Sequence, residues 1–147
     1  VCFRMMNNRE DAEDMLQEAF IQAFQKLETF RNESSFGTWL KTITVHTCIN
    51  ALTKRKLDLK YFDEMHRFDA VDEEPEDALY TTQNIIEAMN QLPEGGRIVF
   101  SLYLLEGYDH GEIAQILGIT ESTSKSQYMR AKRRVYEILK QTKSRAI

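Results

Sequence analysis

The 147-residue sequence is poor in the residues that build special scaffolds: two prolines, six glycines, two cysteines and one tryptophan. So little Pro and Gly excludes collagen-like and low-complexity chains. Cys2 and Cys48 form no C-x-x-C pair and have no histidine at metal-ligand spacing. That excludes a disulfide scaffold and a zinc module, and two reduced thiols in a cytosolic protein are expected. No apolar run approaches the roughly 20 residues that a spanning helix needs, and mean hydropathy is −0.48. No P-loop, Gly-rich phosphate cradle or Ser-His-Asp signature is present. No signal peptide is seen. The apolar opening, Val1-Cys2-Phe3-Arg4-Met5-Met6, reads as the middle of a helix and predicts residues before it.

What the chain does have is material for a core, with 42% hydrophobic residues including eight Phe and six Tyr. With a net charge of only −4, that argues against disorder. The length predicts one domain or two small ones. Charge is segregated along it. Residues 1–56 hold 8 basic and 7 acidic side chains, residues 57–92 hold 2 and 10, and residues 93–147 hold 9 and 6. An acidic middle thus masks a basic C-terminal part, and between Ser122 and Arg145 eight Lys and Arg face one acid, Glu137. Such a stretch suits phosphates. The middle, Asp69-Ala-Val-Asp-Glu-Glu-Pro-Glu-Asp77, lacks apolar periodicity and repels itself, which predicts a linker. An ordinary solvated loop within one domain is the alternative.

Everything periodic is helical. Met15, Leu16, Ala19, Phe20, Ala23, Phe24 and Leu27 recur at three- and four-residue intervals and predict a helix over 11–30 with these residues inward. Asp11, Glu13 and Asp14 suit the positive end of its dipole. After the polar break Arg31-Asn-Glu-Ser-Ser35, a second helix is predicted over 36–56, with Trp39, Leu40, Ile43, Ile49 and Leu52 near one face and a basic tip, Lys54-Arg55-Lys56. Leu79, Ile85, Ile86, Met89 and Leu92 predict a third over 77–91. Pro93 opens a fourth, which Gly107 closes. The expected fold is all-α: two small helical domains, 1–57 and 77–147, joined by an acidic linker over 58–76.

The C-terminal part carries the sharpest motif. His110-Gly-Glu-Ile-Ala-Gln-Ile-Leu-Gly-Ile119 reads as a short helix stopped by Gly118, with Thr120 capping the next. Ala114 and Gly118, four apart, fit a helix-turn-helix: a small residue where helices cross and a glycine for the left-handed turn. The second helix divides into an inward stripe (Tyr128, Ala131, Val135, Ile138, Leu139) and a polar, basic face (Ser122, Lys125, Ser126, Met129, Arg130, Arg133). That face fits a major groove, where Arg and Lys read guanine edges. A solvated basic face on a bundle helix is the alternative.

Asp11-Ala-Glu-Asp-Met-Leu-Gln-Glu-Ala-Phe20 and Phe30-Arg-Asn-Glu-Ser-Ser-Phe-Gly-Thr-Trp-Leu40 resemble region two of bacterial extracytoplasmic-function sigma factors. Leu92-Pro-Glu94, Gly107-Tyr-Asp-His-Gly-Glu-Ile-Ala114 and Leu117-Gly-Ile-Thr-Glu-Ser-Thr-Ser-Lys-Ser126 resemble region four. The resemblance covers nearly the whole chain in the family's order. It implies a cytoplasmic initiation factor that binds core RNA polymerase and promoter DNA and needs no cofactor, metal or small-molecule substrate. An anti-sigma factor, membrane-bound for many members, is a further implied partner.

Residue by residue, the resemblance assigns Asp14, Gln17, Glu18, Phe20 and Phe24 to the polymerase, although Phe20 and Phe24 also suit a core. It assigns Asn32, Glu33 and Ser34 to a flipped base of the minus-ten element, with Phe36 or Trp39 stacking or walling the pocket; Trp39 also suits a core. Lys41, Thr44, Thr47, Asn50, Lys54, Arg55 and Lys56 would then meet minus-ten phosphates and bases. Ser122, Thr123, Lys125, Ser126, Met129, Arg130 and Arg133 would meet the minus-thirty-five element. Ser124 departs from the family's usual buried valine; it either loosens packing or bonds back to its own preceding turn. Gly95-Gly96 is flexible for a helix start. The acidic linker is either a tether or a segment threading toward the polymerase cleft.

Two other classes compete. A stand-alone helix-turn-helix regulator explains the C-terminal half and leaves Phe30–Leu40 without a role. A carboxylate metalloenzyme is disfavoured, because helical spacing spreads Glu10, Asp11, Glu13, Asp14 and Glu18 around the helix and no acidic helix with a His completes a site. His46, His66 and His110 are isolated in sequence and suit surface or structural positions.

Overall fold

The computed structural model describes residues 1–54 and 80–145, which fall into two compact units, one within Val1–Leu57 and one within Asp58–Ile147. Arg55, Lys56, His66, the linker expected over 58–76 and the expected helix start at Asp77 lie outside the described residues. All regular structure among the described residues is helical. No helix there is long and apolar enough to cross a membrane.

The first unit packs three helices: α1 (Cys2–Met6), α2 (Arg9–Gln25) and α3 (Phe36–Lys54). Asn7 ends α1 in the left-handed region (φ 52), where asparagine is tolerated. Asn8 then caps α2, its side chain accepting from the Asp11 amide at 3.1 Å. The helix stops at Gln25, short of the expected Phe30. Leu27–Thr29 tightens into a 3-10 turn, and the Thr29 hydroxyl donates to the Lys26 carbonyl at 2.6 Å. Phe30 is then turned onto Phe36 and Trp39, with ring centroids 5.8 and 5.3 Å away, which a continuing helix would not allow. Ser35 caps α3 by accepting from the Thr38 amide at 3.2 Å.

The expected inner stripe of α2 is also corrected. Its buried residues are Ala12, Ala19 and Ala23, while Leu16, Phe20, Ile21, Phe24 and Leu27 are exposed. The core they meet is Met5, Met6, Val45, Cys48, Ile49 and Leu52. Small side chains let α2 approach this wall closely and turn its large ones outward.

The second unit is built from α4 (Thr82–Met89), α5 (Glu94–Phe100), α6 (His110–Leu117) and α7 (Glu121–Arg145). Thr81 and Asn84 form a reciprocal capping box on α4. Pro93 stands one residue earlier than expected, at the cap rather than inside α5. The α5 path continues as a π-helical turn, Ser101–Leu105, and leaves through Gly107 at φ 78. Of the Gly95-Gly96 pair, Gly95 is buried, and a Cβ on Gly96 would meet the Ala131 Cβ of α7 at an ordinary contact distance of 3.7 Å. Ala88, Met89, Leu92 and Phe100 close on Ala131, Val135, Ile138 and Leu139, the inner stripe read from the sequence.

Candidate functional site

The helix-turn-helix is made by local chemistry. Asp109 and Glu112 form a capping box at the start of α6: the Glu112 amide donates to Asp109 at 2.8 Å and the Asp109 amide to Glu112 at 2.9 Å. Gly118 ends α6 at φ 67 and ψ 35, and the Ile119 amide returns to the Ala114 carbonyl at 3.1 Å. Thr120 caps α7, accepting from the Thr123 amide at 3.1 Å. This turn presents Ser122, Lys125, Met129 and Arg133 exposed and Ser126 and Arg130 half-buried along one side of α7. Lys125 Nζ lies 3.4 Å from Glu121. Thr123 does not join that face; it is 7% exposed, with its hydroxyl against that of Thr120 at 2.8 Å.

Ser124 makes a contact between helices that the sequence did not suggest. Its buried hydroxyl meets His110 Nδ1 of α6 at 2.9 Å, bridging the two helices rather than its own preceding turn. The imidazole stacks on Tyr103 at 4.4 Å, and Tyr103 leans on Tyr128 at 4.4 Å. Burial, reinforced by Lys125, pulls His110 below the usual histidine range. Burial beside Tyr103 pushes the Tyr128 phenol up.

In the first unit, helical spacing sets Asp14, Gln17, Glu18 and Ile21 opposite the alanine stripe of α2, with Phe20 and Phe24 at the flanks. All six are exposed, Ile21 by 51% and Phe24 by 75%. An acidic and amide patch bordered by bare aromatic and aliphatic groups is unusual on a free surface and common where a partner docks. Ile21 belongs to this surface and was missed from sequence. The signal was the alanine spacing, which marks the buried side.

The loop from Arg31 to Ser35 is exposed throughout, and Asn32 sits at φ 56. Beneath it Phe30, Phe36 and Trp39 form a three-ring cluster, Phe36 and Trp39 being 5.6 Å apart. Phe36 is exposed and Trp39 half-buried, so the cluster offers ring faces beside Asn32, Glu33 and Ser34. Trp39, His46, Asn50 and Lys54 follow one another along the outer side of α3. Lys41, Thr44 and Thr47 are not part of it. Lys41 is half-buried beside a groove, and both threonines are buried, donating to the Leu40 and Ile43 carbonyls at 2.8 Å. Among the described residues no group of three His, Cys, Asp or Glu side chains gathers where a metal could sit.

These features define an all-α protein of two helical units, one holding a helix-turn-helix with a basic outer face and the other a helix with exposed acidic, amide and large apolar side chains. Residues 1–57 match sigma-70 region 2, and residues 82–135 match sigma-70 region 4. The RNA polymerase sigma-H factor of Pseudomonas aeruginosa is 30% identical, over 92% of this chain and 77% of its own. The extracytoplasmic-function (ECF) RNA polymerase sigma-E factor of Haemophilus influenzae is 31% identical, over 85% and 72%. A Bartonella quintana sigma factor RpoE, solved with the anti-sigma factor NepR, shares the fold at TM-score 0.61 and 24% identity, covering 95% of this chain and 87% of that one. The chain belongs to the sigma-70 family as an ECF sigma factor, a transcription initiation factor that directs RNA polymerase to promoters.

Proposed function

We propose that the three exposed surfaces divide the work of initiation. The outer face of α2, with Asp14, Gln17, Glu18, Phe20, Ile21 and Phe24, docks on core RNA polymerase. The observation that carries this is an amphipathic helix packed through alanines with its large apolar groups left in solvent. The Arg31–Ser35 loop takes a base of the unwound minus-ten strand: Asn32, Glu33 and Ser34 supply donors and acceptors, and Phe36 and Trp39 supply ring faces for stacking. Asn50 and Lys54 follow the strand along α3, and Arg55 and Lys56 extend their charge in sequence. In α7, Lys125, Ser126, Met129, Arg130 and Arg133 read the minus-thirty-five duplex, with Ser122 at the phosphates.

In this reading the chain is a cytoplasmic, non-enzymatic subunit of two domains, 1–57 and 77–147, linked by residues 58–76. An anti-sigma factor is its regulator; the Bartonella relative's complex with one supports that partner class. The test is selection of promoter sequences from random DNA by the reconstituted holoenzyme. Asn32→Ala should flatten preference at one element only, and Lys125→Ala/Arg130→Ala at the other only. Unchanged profiles for both variants would overturn the assignment.

A further inference from the structure

The reading face of α7 and its packed face occupy different stretches of the helix. Ser122, Lys125, Ser126, Met129 and Arg130 fall within roughly its first three turns. The α7 side chains of the second unit's buried cluster, Ala131, Val135, Ile138 and Leu139, all come later, with Tyr128 packed against them from the reading stretch. What else is buried in that stretch is polar: Thr123, Ser124 and Gln127. Thr123 serves the helix cap through Thr120, while Ser124 reaches across to His110 Nδ1 of α6 at 2.9 Å. This bond stands one residue before Lys125, the first basic residue of the reading face. We infer that His110 and Ser124 are positioning residues for minus-thirty-five recognition: their bond holds the first turns of α7 on α6 in the orientation that presents Lys125, Ser126 and Met129 to the duplex. The inference rests on the reading of α7 as the helix that enters the major groove.

Ser124 has no exposed surface to offer DNA, so it acts through the side chains next to it. The imidazole it meets is itself held in place. Tyr103 stacks on the ring at 4.4 Å and Tyr128 stands 5.7 Å away, and Tyr128 stacks in turn on Phe100 of the buried cluster at 5.8 Å. The bond therefore refers the reading turns of α7 to the core of the unit. Base contacts are steep in distance, and a shift of about 1 Å takes a hydrogen bond beyond its working range. Attraction between a lysine or arginine and a phosphate falls off far more slowly. Losing the bond should thus cost discrimination between sequences and leave attraction to any duplex nearly intact.

The bond also needs a neutral imidazole. Protonation places a hydrogen on Nδ1, and the serine hydroxyl must then turn toward the carbonyls of its own preceding turn. The groups facing the ring are mixed. On α7, Lys125 disfavours the imidazolium and Glu121 favours it; Asp109, the cap of α6, favours it too; Tyr103 and Tyr128 add phenol rings. Burial is the largest influence, and with Lys125 it keeps the ring neutral to a lower pH than a free histidine. The bond is therefore complete at and above the ordinary value of about 6.5 and is released as pH falls through the depressed folded one.

The experiment uses the reconstituted holoenzyme and a promoter it selects from random DNA. It measures the ratio of affinities for that promoter and for the same DNA with its minus-thirty-five element scrambled, from about pH 8 down to about pH 5. Tyrosine dichroism of the free chain checks that the second unit stays folded at each pH. The wild-type ratio should fall at least about fivefold on acidification, the lower end of what one base contact supplies. Ser124→Ala should lower it as much at neutral pH and remove the pH dependence, with affinity for the scrambled DNA kept within about twofold. In His110→Asn the amide oxygen can stand in for Nδ1 and does not titrate, so this variant should restore most of the ratio and hold it in acid. A merely structural loss would lower both affinities together. A ratio unmoved by Lys125→Ala/Arg130→Ala would overturn the reading of α7 and this inference with it. A ratio lowered by that pair, yet equal in wild type and Ser124→Ala or independent of pH in wild type, would overturn this inference alone.

Discussion

The His110–Ser124 bond that joins the helix-turn-helix makes a quantitative prediction. Ser124 is fully buried, and His110 Nδ1 is the one side-chain acceptor its hydroxyl meets among the described residues. A buried O–H left without an acceptor costs about 1–3 kcal/mol, so the hydroxyl donates to Nδ1 and the ring proton sits on Nε2. Ser124→Ala removes a neutral hydrogen bond and leaves a half-exposed ring that water can reach, costing about 0.5–1.5 kcal/mol. His110→Ala strands the buried hydroxyl and also loses the Tyr103 stack, worth about 0.5–1.5 kcal/mol, for a total of about 1.5–4.5 kcal/mol. In the His110→Ala background, Ser124→Ala deletes the stranded group, so there it should be neutral or stabilising.

Urea unfolding reads this cycle conveniently. Tyr80, Tyr103, Tyr108, Tyr128 and Tyr136 all lie in the second unit and dominate near-ultraviolet tyrosine dichroism, while the lone Trp39 reports the first unit by fluorescence. Acid supplies an independent arm. Protonation at Nδ1 turns an acceptor into a donor, and the folded pKa already lies below the ordinary value of about 6.5. The contribution is therefore complete above that ordinary value and fades as pH falls through the depressed folded one. The doubly substituted chain should show no such loss. If Ser124→Ala costs the same in both backgrounds, or the acid limb survives in the double variant, the reasoning about this bond is wrong.

Three other outcomes follow. Gly96→Ala should stabilise the second unit by about 0.4–1 kcal/mol in urea melts, because its Cβ meets Ala131 at ordinary contact distance and the unfolded chain loses freedom. Gly118→Ala should destabilise it by about 1–2 kcal/mol: the site has open space, but φ 67 is costly for a side chain. Ile21→Ser/Phe24→Ser should leave the Trp39 unfolding midpoint within about 0.5 kcal/mol of wild type while weakening polymerase binding, since both side chains stand in solvent.

Much of the second unit was legible in the sequence because its signals are local. Gly118 for the left-handed turn, Thr120 for the cap and the Tyr128 to Leu139 stripe each act within one or two turns of helix. The first unit misled where a pattern admits two faces. Periodicity shows that α2 has an apolar side, but alanines and large residues share its period at different angles, and only packing against α3 selects the alanines. The early end of α2 depends on Phe30 finding Phe36 and Trp39, partners whose approach is set by the fold. Thr44 and Thr47 looked available because a threonine hydroxyl satisfied by its own helix reads in sequence like one facing solvent.

The most direct test of the central claim is binding of the full chain to purified bacterial core RNA polymerase, beside a Gln17→Ala/Glu18→Ala variant. Both side chains are exposed on the outer face of α2, so folding, followed by Trp39 fluorescence, should be unchanged. The account predicts binding by wild type and a loss of about tenfold or more in the variant, equivalent to about 1.4 kcal/mol at the interface. Equal affinity for both chains would contradict it and move polymerase docking to another surface.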